Sequence, residues 1–447
     1  MAASDSALDP GSIMRDRRFV ALLVVVSIVG VICSLAAWGF LELINELQPW
    51  VYDDLPSALG FDSRPVWWPV PVLALAGVIT ALAISRLPGI GGHVPAEGLN
   101  PRPTLPIELP GVIVAALASI GLGMVLGPEA PLIALGGGLG LLAASRLRGD
   151  PGPQVATVIG ASGTFAAVSF LFGSPVIAAV LLIEATGLGG ARLPLMLIPG
   201  LLAAGIGSLV SVGLGSWTGV DTSAISLDPV AVPDFARPDL VDFAWTIPLA
   251  AAIAIGIVLI FHVGKRVVPP ATARPLLVLP AVGIIVGALA IAFSEIEDKG
   301  IDYVLFSGQE SIGPLVAHAS SWSVGALALL IACKGIAYAL ALGSFRGGPV
   351  FPAMFLGTAA GLMAAQLPGY ELTPAVAVGI GAATAAGLRL PLSALVIATV
   401  LVSQGGLGVA PLVIVGVVVA YLTAQAIAPA PIPGTEEPAP PGFTQKG

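Results

Sequence analysis

"GMVLGPEAPLIALGGGLG", Gly123 to Gly140, holds one acid, Glu129, between two prolines inside an apolar run. A carboxylate at membrane depth is costly, and prolines that interrupt a hydrophobic span free backbone groups that then need partners. If a helix starts at "LGPEAP", its first N–H groups have no partner within the helix. The aligned peptide dipoles add about half a positive charge there. Such an end binds anions. Pro128 fits the first turn, where its missing N–H is no loss, and the glycine ahead lets the backbone approach an ion. Glu129 stands at the mouth of that end. Its carboxylate either occupies the place of an anion or merely caps a helix start.

The rest of the chain supports a membrane setting. Of 447 residues, 56% are hydrophobic and 10% charged, and the mean hydropathy is +0.99. A soluble domain of this length must show water a more charged surface. Phe19 to Phe40 runs 22 residues without a charge, long enough to cross a bilayer. Arg15, Arg17 and Arg18 precede it, which places the N-terminus in the cytoplasm and reads the segment as retained rather than as a signal peptide. A net charge of −8 argues against nucleic acid. Cys33 and Cys333 and the scattered His93, His262 and His318 suggest neither a disulfide framework nor a metal centre. No cofactor is expected.

Fourteen candidate segments lie near 19–47, 67–86, 108–126, 128–146, 155–171, 174–186 and 193–214, then 244–264, 275–293, 321–342, 349–366, 374–387, 391–402 and 408–427. The halves share patterns. "PEAPLIALGGGLG" from Pro128 has the P-x-x-P-x4-G-x3-G spacing of "PVFPAMFLGTAAG" from Pro349, and "SPVIAAVLLIE" from Ser174 parallels "LPLSALVIATV" from Leu390. Seven segments per half make the halves run oppositely. Lys265, Arg266 and Arg274 follow the first span of the second half, whereas arginines precede that of the first, which agrees. The expected layout is a cytoplasmic segment 1–18, a first membrane repeat 19–214, an acidic extracytoplasmic connector 215–243, a second repeat 244–427 and a disordered Pro-rich tail 428–447. Inverted repeats with broken helices place an ion site where the repeats meet. Helix starts at Pro128 and at "GGPVFP", Gly347 to Pro352, would aim two positive ends at one point, which holds an anion yet lets it leave.

These residues resemble the CLC family of chloride channels and proton-coupled chloride exchangers, over roughly residues 85 to 405. "GPEAP" is similar to the GREGP or GKEGP motif, "GGHVP" (Gly91 to Pro95) to GSGIP, and "LLIACKGIAYALALGSFRGGPVFPAMFLGTAAG" to the segment leading into GIFAP. "VIGASGTFAAVSFLFGSPVIAAVLLIEATG" resembles the segment ending in the family's buried glutamate. The resemblance implies an all-α polytopic fold, an inverted repeat of broken and tilted helices in two antiparallel halves. It implies a homodimer with one pore per subunit in the plasma membrane, chloride or another small anion as cargo, and Glu129 as a protonatable gate. The anion ligands expected are Gly91, Gly92, His93, Gly127, Pro128, Ala130, Gly348, Val350 and Phe351.

The pattern departs in four places. Gly92 replaces the motif serine, and His93 then reads as a helix-start donor or mouth residue before a proton relay. Pro349 has no N–H, leaving Val350 and Phe351 as donors. The pore tyrosine is missing, with Tyr421 one segment too early. "LIEAT" puts Glu184 at the structural position and Ala185 where exchangers carry a proton-transferring acid, which favours passive or weakly proton-coupled transport over a full exchanger. Lys334 either raises the potential along the pore or meets a carbonyl near the cytoplasmic face, and Arg346 and Arg389 read as boundary residues. Two rivals remain. "GASG" (Gly160 to Gly163) with His262 matches a rhomboid-like intramembrane serine protease. A cation-coupled carrier would need more deep acids than Glu129 and Glu184.

Overall fold

The apolar runs become helices at the expected places. The computed structural model describes residues 14–99, 103–147, 152–187, 190, 193–218 and 229–429. The outermost residues of the expected terminal segments (1–13 and 430–447) and positions 219–228 of the connector lie outside the described residues. In the first half, α1 spans Arg17–Pro49 and runs on through a π-turn, Trp50–Asp54, to Ala58. Then come α2 (Pro69–Arg86), α3 (Leu109–Ala116), α4 (Glu129–Ser145), α5 (Gly152–Phe172), α6 (Pro175–Thr186) and α7 (Leu193–Thr218). The second half holds α8 (Leu240–Ala273), α9 (Pro275–Glu297), α10 (Gln309–Ala317), α11 (Val324–Ser344), α12 (Val350–Ala364), α13 (Leu372–Leu388), α14 (Pro391–Leu401) and α15 (Ala410–Ile427).

Among the described residues, the short helix α10 lacks a counterpart in the fourteen expected segments. It is too short and too polar for a hydropathy reading to find. Among the described residues, eight helices are long and apolar enough to cross a membrane. The others are not: α4 has 17 residues, α6 has 12 and α14 has 11. At 1.5 Å per residue, 12 residues span about 18 Å against a hydrocarbon core of about 30 Å. Their ends therefore lie inside the membrane, where only packed protein or a cavity can satisfy them.

The packing repeats between halves. Helix α1 rests on α5 and α7, and α8 rests on α13 and α15; α4 lies on α5 as α12 lies on α13. The shared G-x3-G explains the last pair of contacts. A methyl group on Gly136 would come within 2.4 Å of the Gly163 carbonyl oxygen, and one on Gly357 within 2.2 Å of that of Gly379. Glycine lets these backbones touch, as close-packed membrane helices require. Two cross pairs, α2 with α9 and α6 with α14, join the halves. This is an inverted-repeat bundle of broken helices.

Candidate functional site: two opposed helix starts

At the centre, the segments leading into α4 and α12 meet. The Gly127 N–H donates to the Gly348 carbonyl at 2.8 Å and the Gly348 N–H to the Gly127 carbonyl at 2.6 Å. This is an isolated antiparallel bridge, and the structure has no strands among the described residues. Gly127 and Gly348, both expected among the anion ligands, thus spend their amides on one another. Pro128 and Pro349 occupy the cap positions of α4 and α12, so each helix begins one residue after the expected start. Pro131 and Pro352 take the third positions. A proline offers no N–H, so the first three positions of each helix present two amides: Glu129 and Ala130 in α4, Val350 and Phe351 in α12. The P-x-x-P spacing thus trims each positive end to a matched pair of donors.

Glu129 is fully buried. Its side chain crosses to the other half, where Oε1 accepts a hydrogen bond from the Val350 N–H, and the Phe351 amide also faces the carboxylate. Oε2 is buried without a hydrogen-bond partner. The glycines make this seat possible: a methyl group on Gly348 would fall 2.1 Å from Glu129 Cδ, and one on Gly127 2.0 Å from Oε2. Glu129 therefore reaches from its own helix start to cap the opposed one.

Two aromatic residues that the sequence did not single out complete the seat. The hydroxyl of Tyr338 on α11 donates to the Pro349 carbonyl at 2.6 Å. The Phe172 ring, at the end of α5, stacks on Phe351 with centroids 5.6 Å apart. Tyr421, the candidate weighed from sequence, lies beside Arg389 instead. Nothing in the local pattern marks Tyr338 or Phe172, since both come to the centre only through the packing of α11 and α5.

A cavity of about 540 Å³ opens above Pro128. Its charged lining is Asp53, Arg64, Asp302 and Glu310, with Arg64 3.6 Å from Asp53 and 4.0 Å from Asp302. Burial pushes the Asp302 carboxyl above the usual carboxylate range; Arg64 opposes the shift and Asp53 adds to it. Burial and the neighbouring Asp302 raise Glu310 likewise. Tyr52 braces the cavity floor by donating to the Leu122 carbonyl at 3.0 Å.

Lys334 is fully buried and donates to the carbonyls of Val304, Leu305 and Phe306 at 3.2, 2.9 and 3.3 Å. Phe306 in turn donates its N–H to Gly123 at 3.0 Å, so Lys334 supports the loop that feeds α4. Its carbonyl partners follow the end of α9, at the far end of that helix from Arg274.

"GGHVP" does not start a half-helix. It forms short 3₁₀ turns at Pro88–Gly91 and Pro95–Glu97, because Gly89 through Gly92 all hold positive φ. His93 engages its own loop, with Nε2 2.8 Å from the Gly98 carbonyl and Nδ1 3.9 Å from Glu97. Arg346 is no boundary residue: it is 7% exposed and bonds the Ile90 carbonyl, tying this loop to the Gly348 segment. Glu184 on α6 caps α14, accepting from the Leu392 N–H at 2.9 Å and from the Ser393 N–H and hydroxyl at 2.7 and 2.5 Å. Ser162 donates to the Val158 carbonyl inside α5, whereas His262 sits on an exposed part of α8; they form no dyad.

A family model described as "Voltage gated chloride channel" matches residues 99–425. Two proteins carrying the name ion-transport protein YfeO are similar in sequence. That of Salmonella schwarzengrund is 30% identical over 362 residues, covering 78% of this chain and 81% of its own. That of Escherichia fergusonii is 29% identical over 375 residues, covering 82% and 83%. Among solved structures, a slow cyanobacterial Cl⁻/H⁺ antiporter superposes with a TM-score of 0.75 at 20% identity, over 92% of this chain and 96% of its own. A CLC-type fluoride/proton antiporter gives 0.67 at 16% identity, over 91% and 96%. With its inverted repeat, its paired helix starts and a family model spanning most of its length, this chain is a multi-pass membrane protein that belongs to the voltage gated chloride channel (CLC) family of anion transporters.

Proposed function

We propose that this protein moves chloride across the membrane through the centre of its two halves, with Glu129 as the gate. One observation carries the reading. The Glu129 carboxylate takes the Val350 amide at the start of the opposed helix, while its second oxygen is buried and unpartnered. Deprotonated, the side chain is its own blocking anion. Protonated, it loses the charge that the helix ends hold, and a chloride takes the vacated amides of Val350 and Phe351. The opposed positive ends attract the carboxylate and the ion alike, so the two compete for one seat.

Transport is passive or weakly proton-coupled on this reading. Ala185 carries no proton, and all three hydrogen bonds of Glu184 are spent on capping α14. The working form is a homodimer with one path per subunit, in the plasma membrane, with the N-terminus and its arginines in the cytoplasm. The test is chloride efflux from loaded liposomes, recorded together with external pH, for the wild type and Glu129→Gln. Efflux without proton uptake, altered in the variant, is the expected result. Stoichiometric proton uptake that vanishes in the variant would make the protein an exchanger. Absence of halide efflux would overturn the reading.

A further inference from the structure

The seat that Glu129 fills offers few donors, and none carries a full charge. The groups that act on the carboxylate are three backbone amides, its own and those of Val350 and Phe351, and among the described residues no charged side chain joins them. The polar groups nearby are already committed. The amides of Gly127 and Gly348 hold each other's carbonyls. Tyr338 gives its hydroxyl to the Pro349 carbonyl, and the Arg346 guanidinium faces the carbonyls of Ile90, Ser344 and Phe345. Pro131 and Pro352 have no N–H to offer.

The remaining walls are apolar. Val350 and Phe351 are fully buried, as is the run into the seat from Met124 to Leu126. The rings of Phe172 and Phe351 stack with 24° between their planes. A methyl group on Gly127 would lie 2.0 Å from Glu129 Oε2 and 2.9 Å from Phe351 Cδ2. The carboxylate oxygen that lacks a hydrogen bond therefore lies beside a ring carbon. A phenylalanine ring gives no hydrogen bond, and at best its positive edge attracts an anion weakly.

An ion enters such a place only by giving up water, and the cost rises as its charge becomes more concentrated. A guanidinium, an ammonium or a ring of strong donors repays that cost best for a small ion. Two or three amides in an apolar wall do not, since the number and field strength of the ligands set what they can repay. The ion's own hydration then decides. The present occupant fits this description, because a carboxylate spreads its charge over two oxygens and the seat satisfies one.

We propose that the Val350–Phe351 seat selects weakly hydrated monovalent anions, taking thiocyanate, nitrate and bromide ahead of chloride, and fluoride last. This rests on the anion-transport reading above and names the class of ion that the same seat prefers. Chloride passes as a middle member of the series.

The test is the full chain in liposomes at equal, neutral pH on both sides. Efflux of fluoride, chloride, bromide, nitrate and thiocyanate is each followed against concentration. Equal pH fixes the fraction of Glu129 that competes, so differences between ions are those of the seat. Half-saturating concentrations are expected to fall along that order, by about tenfold from chloride to thiocyanate, a difference of about 1.4 kcal/mol. Phe351→Ala removes the ring beside Oε2 and keeps the amide. It is expected to narrow that ratio to about twofold as water reaches the seat. Chloride or fluoride saturating at the lowest concentration in the wild type overturns the proposal and leaves the transport reading in place. A folded Phe351→Ala protein with the wild-type ratio does the same. The wild-type series needs no variant, so it decides the matter even where Phe351→Ala fails to fold. Efflux of none of the five anions overturns the transport reading itself, and this order with it.

Discussion

Glu129 and Glu184 perform nearly the same task with opposite completeness. Each is a carboxylate from the first half placed at the start of a helix in the second: Glu129 at α12, Glu184 at α14. Glu184 spends both oxygens on three donors at the half-buried edge of the bundle. Glu129 is fully buried and satisfies one oxygen only. Full satisfaction makes a joint, because any movement loses every bond at once. Half satisfaction at a charged seat makes a group that an anion can displace. On the proposed reading Glu129 is the gate, while Glu184 caps α14.

The largest expected effect separates them directly. Glu129→Gln removes the blocking charge, and chloride efflux in liposomes is expected to lose most of its dependence on pH. Glu184→Gln is expected to leave that dependence in place. A pH profile equally altered by both would erase the distinction.

Gly348→Ala sharpens the comparison from the side of the seat. The added methyl overlaps the Glu129 carboxyl and is expected to evict it, raising efflux at neutral pH. Thermal unfolding in detergent should show the cost of overpacking, about 1–3 kcal/mol. Efflux that falls instead would mean the methyl blocks the ion rather than the gate.

Glu184→Ala strips the cap from α14. The expected loss is about 1–2 kcal/mol of stability, typical of a helix cap, with efflux per folded molecule little changed. A variant of wild-type stability would show that the three hydrogen bonds contribute nothing net.

The smallest effect concerns the cavity. Asp302 and Glu310 are both raised above the ordinary range, chiefly by burial, so they are neutralised earlier as pH falls. Below their titration Arg64 faces less negative charge and the mouth attracts anions better. In the Glu129→Gln background, a residual rise in efflux on acidification is therefore expected, flattened further by Asp302→Asn. No residual slope would assign the whole pH response to Glu129.

Much of this was legible in the chain. Apolar runs, prolines at helix starts and G-x3-G spacings are local, so the helices, the duplication and the placement of Glu129 follow from them. The bridge between Gly127 and Gly348 was not legible. Free-standing helix ends suggested free amides, and only the register between the two halves uses them up. "GGHVP" misled because its expected helix start came from the resemblance to GSGIP alone, whereas here positive φ values from Gly89 to Gly92 curl the chain into turns. Arg346 resembled a boundary residue because a lone arginine beside glycines is usually solvated. Its burial depends on Ile90, 256 residues away in sequence.

The Gly127–Gly348 bridge also limits how the molecule can work. Carriers of inverted-repeat design commonly rock one half against the other around a fixed site. Here the two halves are stitched together at that site by a reciprocal pair of backbone hydrogen bonds. Rocking would pull both apart in the membrane interior, where an unmatched amide or carbonyl costs several kcal/mol. The cheaper motion is the swing of one carboxylate over a glycine, with the scaffold still. With Glu129 as the proposed gate, the ion is exposed to one side or the other by moving a side chain, not a domain.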